Sequence, residues 1–328
     1  MKRFCIITML IQINALSVFA QCCSPGSPVG GTSALGVLDK GTFQVFLNYK
    51  YGYSDTYYRG DRPTEEDFID NGNYNYLGSV VAYGLLKRLT LELDIGYMFN
   101  KTQNYVPGIT PKTLIGRGLT DVNFSTRFNL YRNLVSDWEV SSGLGIKIPL
   151  GKFEQTYQDA ILPPDLQPTT GSFDFFHTLF LYKGFVKKHV RLFLINRIEL
   201  KRQNRAFYKY GNLYTTSFFT SYSVGVHWVF LMQLRTEIRA RDTRPETGTG
   251  LPAQIDDREK IIPTGSQKLF VVPQVTYILK SWTFSTLVDI PAYQYYNDKQ
   301  LASTVAVSVS VSKKFDLKRR KKKVIKDE

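Results

Sequence analysis

The chain has 328 residues, 43% hydrophobic and 14% aromatic, with 42 Lys plus Arg against 28 Asp plus Glu and a formal net charge of +14. Mean hydropathy is −0.20, and no stretch after the first twenty residues approaches eighteen consecutive apolar residues, which excludes helical membrane spans. The positive balance does not point to nucleic acid, because the chain opens with an export signal and much of its excess charge sits in one terminal tail.

Lys2 and Arg3 form a positive start, Ile6 to Val18 an apolar core, and Val18-Phe19-Ala20 a small-residue cleavage point before Gln21. Met1 to Ala20 is therefore expected to be a signal peptide that is removed, its apolar stretch being too short for the roughly 20 residues of a spanning helix. Residues 21–40 read as a periplasmic lead, rich in Gly, Pro and Ser over Ser24–Gly36. It carries the adjacent pair Cys22 and Cys23. Consecutive Cα atoms lie about 3.8 Å apart, whereas relaxed disulfides prefer roughly 5.5 to 6 Å, so a framework disulfide is not expected. Cys22 and Cys23 are weak candidates for a metal or redox contact; acylation of Cys22 is the other reading, with Gln21 a poor match to the small residue a lipobox wants.

From residue 41 one pattern recurs about twelve times: some ten residues of alternating apolar and polar character, closed in turn by a short turn and a long polar loop. In 41–53, Phe43, Val45, Leu47, Tyr49, Tyr51 and Tyr53 share one face, and Gln44, Asn48 and Lys50 the other. That is the period of a strand, not of a helix. Strands follow at 74–85, at 90–99 (Leu91, Leu93, Ile95, Tyr97 and Phe99 against Glu92 and Asp94) and at 120–131 (Val122, Phe124, Phe128 and Leu130 against Asp121, Asn123 and Arg127). The rest are expected at 138–150, 172–182, 190–201, 213–227, 231–241, 268–279, 282–293 and 301–315.

Short connections near 86–89, 132–137, 183–189, 228–230 and 280–281 alternate with long ones, rich in Gly, Pro, Asn, Asp and charge, near 54–73, 100–119, 151–171 and 242–267. A strand that crosses lipid at a tilt needs roughly 9 to 11 residues and must show lipid one face and the lumen the other. The expected fold is thus all-β: a transmembrane antiparallel barrel of twelve strands over 41–315, with short periplasmic turns, long extracellular loops and both termini periplasmic. A soluble sandwich or lipocalin-like barrel would turn its apolar face inward. The expected location is the outer membrane, among its lipids.

The closing strand sets Val305, Val307, Val309 and Val311 on one face and ends in the same parity at Phe315. This resembles the aromatic-terminated strand that barrel assembly machinery recognises. A basic tail, 316–328, follows; residues 313–328 hold nine basic and three acidic residues, supplying +6 of the +14. It reads as a solvated tail or as a contact for anionic phospholipid headgroups or a periplasmic polymer.

Parity also assigns the lumen. Lys50, Glu92, Asp94, Asp121, Arg127, Lys147, Arg191, Arg197, Glu199, Arg235, Glu237, Arg239, Arg241 and Asp289 are expected to point inward, where charges must be paired or hydrated. Such a lumen is either filled by ion pairs or keeps a narrow path whose selectivity those charges set. No catalytic signature stands out. His177, His189 and His227 are the three histidines, none in a metal spacing such as H-E-x-x-H, and there is no G-x-S-x-G elbow. A barrel lipase would need Ser, His and an orienting group together, for which His177 with Ser172 or a serine of the neighbouring strand is the candidate.

The segments 118–122, 143–151, 171–175 and 289–297, followed by Gln300-Leu301, resemble recurrent motifs of a family of Gram-negative outer-membrane barrels, labelled transporter-like and grouped with the "MetA-pathway of phenol degradation" barrels. The resemblance spans most of the exported chain. It implies passage or uptake of small molecules, aromatic or apolar ones among them. The expectation is a channel or transporter for small solutes, with no enzyme activity and no cofactor. A plugged structural or receptor barrel that binds a partner through loops or tail is the alternative, and a lipid-modifying enzyme the third reading.

Overall fold

A computed structural model describes residues 36–65, 68–109, 111–245, 258–260 and 264–317. The expected signal peptide, Cys22, Cys23 and the basic run Lys318–Lys323 lie outside the described residues.

Twelve strands form the barrel: β1 (Thr42–Ser54), β2 (Ile69–Leu86), β3 (Leu89–Tyr105), β4 (Val122–Asn133), β5 (Trp138–Ile148), β6 (Asp174–Phe185), β7 (Val190–Leu200), β8 (Leu213–Val224), β9 (Trp228–Arg239), β10 (Ser266–Leu279), β11 (Trp282–Leu301) and β12 (Val305–Asp316). Each pairs antiparallel with its neighbours in the chain, and β1 pairs with β12 from Thr42↔Asp316 to Tyr53↔Val305. The ring is closed, leaving no sheet edge along the barrel wall.

The alternation in the sequence becomes the two faces of the wall. On β1, Gln44, Phe46, Asn48 and Lys50 are buried inside while Leu47, Tyr49 and Tyr51 face outward; on β12, Ala306, Ser308, Ser310 and Ser312 are inside and Val305, Val307 and Val309 outside. The outer surface is a continuous apolar band that includes Leu93, Phe124, Phe128, Leu144, Phe218, Met232, Leu234 and Val309. Such a surface in water would cost far more than folding returns, so the band is the lipid contact of a membrane-spanning barrel. Exposed Trp138, Trp228 and Trp282 start β5, β9 and β11 at one rim, while Tyr97, Phe99, Tyr214 and Tyr293 lie toward the other. Aromatic rings with polar edges suit both lipid interfaces. Val122 shares the parity of Phe124 but is buried.

At one end, here the turn end, strands are joined by the tight links 87–88, 134–137, 186–189, 225–227 and 280–281. Lys280, with φ of 55°, and His189, with φ of 56°, supply the left-handed backbone that such links use. At the opposite, loop end the strands run on past the membrane. β11 reaches Leu301, eight positions beyond the expected end at 293, because its extension pairs with a short strand at Tyr57–Gly60. β3 likewise pairs with Thr113–Leu119. The tilted wall thus includes residues that composition alone assigns to loops.

Candidate functional site

The barrel interior is layered. Around the middle and toward the turn end, Phe180, Phe193, Ile195 and Phe219 pack together with Tyr182 against them, and Phe270, Val272 and Leu287 form a second apolar cluster. Their inward positions follow strand parity, but which inward residues are aromatic sets the shape of the interior. Nearer the loop end the lining is charged and surrounds a cavity of about 190 Å³.

That charged layer is built from alternate residues of neighbouring strands. Asp289 of β11 accepts from the ammonium of Lys50 on β1 at 2.6 Å and from the guanidinium of Arg235 on β9 at 2.9 Å, and Arg235 also lies 2.8 Å from Glu237. Across the lumen, Lys147 sits 3.0 Å from Asp121, Glu199 is 2.8 Å from Arg197 and 2.7 Å from Lys201, and Lys201 reaches Asp174 at 3.3 Å. Eight basic and six acidic side chains border the cavity, a net of two positive charges. Ion pairing offsets the desolvation of each group; Asp174 and Asp242 pair with Lys201 and Arg239 from behind the lining, so the cation excess belongs to the side chains that reach the cavity surface.

A loop closes over this layer. Pro164–Leu166 makes one 3-10 turn within the long β5–β6 connection. The turn is held from several sides: Lys101 donates to the Gln167 carbonyl at 3.3 Å, Tyr210 donates to the Pro164 carbonyl at 3.2 Å, and Asp121 accepts from the Thr169 hydroxyl and from the Thr170 hydroxyl at 3.1 Å. Gly116 makes room for it, since a Cβ there would lie 1.8 Å from the Leu166 carbonyl oxygen. At the turn end the chain before β1 also enters the barrel. Val37 and Leu38 are buried, their amides donate to Glu139 at 3.0 Å and Thr90 at 2.8 Å, and Arg127 donates to the Gly36 carbonyl at 3.2 Å.

Of the residues assigned to the lumen by parity, Lys50, Asp94, Asp121, Lys147, Arg197, Glu199, Arg235, Glu237, Arg239 and Asp289 border the charged cavity. Glu92 and Arg127 do not. They pair with each other at 3.0 Å beside the incoming N-terminal segment. Arg191 is exposed at the turn end, near Arg132 and Glu139. Arg241 is a correction: it is not among the residues that border the cavity, and it lies two positions past the end of β9 at Arg239. The chain runs on beside 209–212, Ala240 donating to the Asn212 carbonyl at 2.9 Å and Thr243 pairing with Lys209, while Asp242 accepts from the Gly211 amide at 2.7 Å and its own amide donates to Thr264 at 3.0 Å. Parity could not find Asp165, which reaches the cavity from a loop, nor Lys101, on an extension of β3 past the expected end at 99. Lys201 and Lys268 lay at the ends of the expected strands 190–201 and 268–279, on the inward parity of Glu199 and Phe270, and that signal could have found them.

The histidines divide. His227 is bonded to the Ile278 carbonyl at 2.8 Å in a turn, and His189 caps another. His177 is 2.8 Å from the hydroxyl of Ser142 on the neighbouring strand, not Ser172, which donates instead to Asp174 at 2.8 Å. Both lie on the outward parity of their strands, with Phe175 and Leu144 exposed beside them. Among the described residues no cluster of three or more His, Cys, Asp or Glu is placed to hold a metal.

No protein-family model matches this chain, and no curated protein matches it in sequence. Among solved structures it is similar to the COG4313 outer membrane channel from Pseudomonas putida F1, with a TM-score of 0.65 and 12% identity, over 90% of this chain and 100% of that one. The KdgM porin aligns more loosely, with a TM-score of 0.44 and 10% identity over 82% of this chain and 99% of that one. A Pseudomonas aeruginosa FadL homologue gives 0.38 and 9%, over 92% and 100%. At 12% identity the first likeness concerns the fold: a twelve-stranded barrel of the kind that outer-membrane channels use.

Proposed function

We propose that this chain is an integral outer-membrane channel for small solutes, aromatic or apolar molecules among them, in which the loop carrying Pro164–Leu166 is the gate. The observation that carries the reading is the charged cavity within a lipid-facing wall, closed by a loop that is held by side-chain hydrogen bonds and by the buried Leu162 and Leu166. Each such hydrogen bond contributes about 1 kcal/mol, and none of them belongs to the strand ladder, so the loop can leave without unfolding the wall. Positive excess in a narrow path favours anions or solutes with an acidic group. No step of such a function asks for a catalytic group or a cofactor.

In this reading the turn end faces the periplasm and the loop end the exterior, the signal peptide is removed on export, and the strand ending at Phe315 is offered to the barrel assembly machinery. The apolar clusters inside the barrel favour a second reading, a barrel that stays plugged and binds a partner at its loops. Conductance of refolded protein in a planar bilayer tests the first against the second. Protease added to intact cells tests the orientation: cuts are expected within 54–68 or 242–265, with the 316–328 tail spared, and cleavage of the tail alone overturns it.

A further inference from the structure

A second cavity, of about 330 Å³, lies outside the charged one at the loop end. Its walls are mainly apolar: Tyr57 beside Leu301 and Ile69 beside Tyr105 on paired strands, with Phe68 and Leu166. Leu166 is 2% exposed at the floor while Phe68 is 64% exposed, so the mouth opens beside Phe68. Lys101 and Lys299 line it too, the Lys299 ammonium 5.7 Å from the centre of the Tyr57 ring. Ser54, Tyr74, Lys101 and Asp165 border both cavities. These four form the partition between an apolar vestibule and a charged lumen.

We propose that the outer cavity is an entry site for small amphipathic carboxylates, an apolar body of one or two rings or a short acyl chain bearing one acid group. The inference deepens the channel reading above and rests on it. A purely polar anion would leave the walls around Leu166 and Leu301 unsatisfied, since apolar surface gains only from apolar contact. A neutral hydrocarbon would bind these walls, then lose its contacts on passing into a lumen bordered by fourteen charged groups, eight basic and six acidic. A carboxylate with an apolar body matches both in sequence: its body fills the vestibule while its charge faces Lys101 and Lys299, and the next space it meets is lined by eight cations and six acids. Asp165 is the acidic group bordering the vestibule. Burial outweighs the pull of Lys101, Arg239 and Lys268 and holds its carboxyl above the ordinary range, which lessens its repulsion of an incoming anion.

The test is equilibrium binding to the full refolded barrel in detergent micelles, with 2-naphthoate, its uncharged counterpart 2-naphthylmethanol, and acetate as probes. The expected result is saturable binding of 2-naphthoate about tenfold tighter than of the alcohol, with no saturation by acetate. Lys299→Gln should narrow that preference to about threefold or less, and Phe68→Ala, at an exposed position, should weaken both aromatic probes alike. Equal binding of acid and alcohol, unmoved by Lys299→Gln, overturns the proposal, as does the lack of saturable binding by a barrel whose strand content is intact. Binding without conductance takes down the channel reading and leaves the site; conductance without binding does the reverse.

Discussion

The Lys50 ammonium on β1 lies 2.6 Å from the Asp289 carboxylate on β11, two strands away around the wall, and both side chains are almost wholly buried. Arg235 reaches the same carboxylate from β9, so one acid neutralises cations from two sides. Removing one member of a buried cluster costs more than the cluster contributes, because its partners stay behind unpaired. Asp289→Ala should therefore destabilise the barrel by about 3 kcal/mol in urea unfolding from lipid vesicles, and Lys50→Met in the same background should recover part of the loss. A change below about 1 kcal/mol would mean that lumen water already screens the pair.

Leu93 of β3 and Phe124 of β4 stand directly opposite each other on the outer face. An arginine at either should cost on the order of 2 to 4 kcal/mol near the bilayer midplane. Asn123→Lys should cost much less, because Asn123 points inward and donates to Asp94 at 3.0 Å, where an ammonium finds a carboxylate. Equal losses on the two faces, measured by the same unfolding assay, would refute the assignment of lipid and lumen.

Strand number, wall parity and the charged layer were all legible before any coordinates, because a wall between lipid and water forces a period of two on every strand. Lys50, Asp289, Arg235 and Lys147 were found by that period alone. It is silent where backbone leaves the wall. The approach of Thr169 and Thr170 to Asp121 is set by a loop that folds back over more than forty residues of intervening chain, and nothing local in Pro163-Pro164-Asp165-Leu166 marks it as a lid. Arg241 lies past the regular β9 ladder, where alternation no longer tells which side chains reach the cavity. The aromatic filling near Phe193 and Phe219 sits on inward positions that the pattern treats as polar.

Asp165 gives the lid a dependence on pH. Its carboxyl is raised above the ordinary value of 3.8, with burial the main cause, Lys101, Arg239 and Lys268 opposing the rise and Asp242 adding to it. The docked loop therefore prefers the protonated acid. Docking is firmest below the ordinary carboxylate value and loses that advantage as pH rises from there through the raised value. Closed intervals in single-channel records should lengthen as pH is lowered from about 7 to about 4, and Asp165→Asn should hold them long across that range. The same pH response in Asp165→Asn would assign it to another group.

Selectivity follows from the lining. Replacing Arg235 and Arg239 with glutamine removes two of the eight cations around the cavity and leaves them equal in number to the six acids. The reversal potential under a salt gradient should then shift toward cations. An unchanged reversal potential in an open and stable channel would show that these two arginines do not line the path; loss of the fold in the same variant, with no conductance to alter, would place them in a filled core.

Single-channel recording of the refolded barrel in a planar bilayer, compared with a Thr169→Ala, Thr170→Ala double variant, bears most directly on whether this barrel is a gated channel. Both threonines hold the lid to Asp121. A gated channel gives small, anion-preferring conductance steps with long closures in the parent protein, and an open fraction several times higher in the variant, consistent with the loss of about 1 kcal/mol per hydrogen bond. Correctly folded barrels that give no conductance steps, in the parent and in the variant alike, would contradict it.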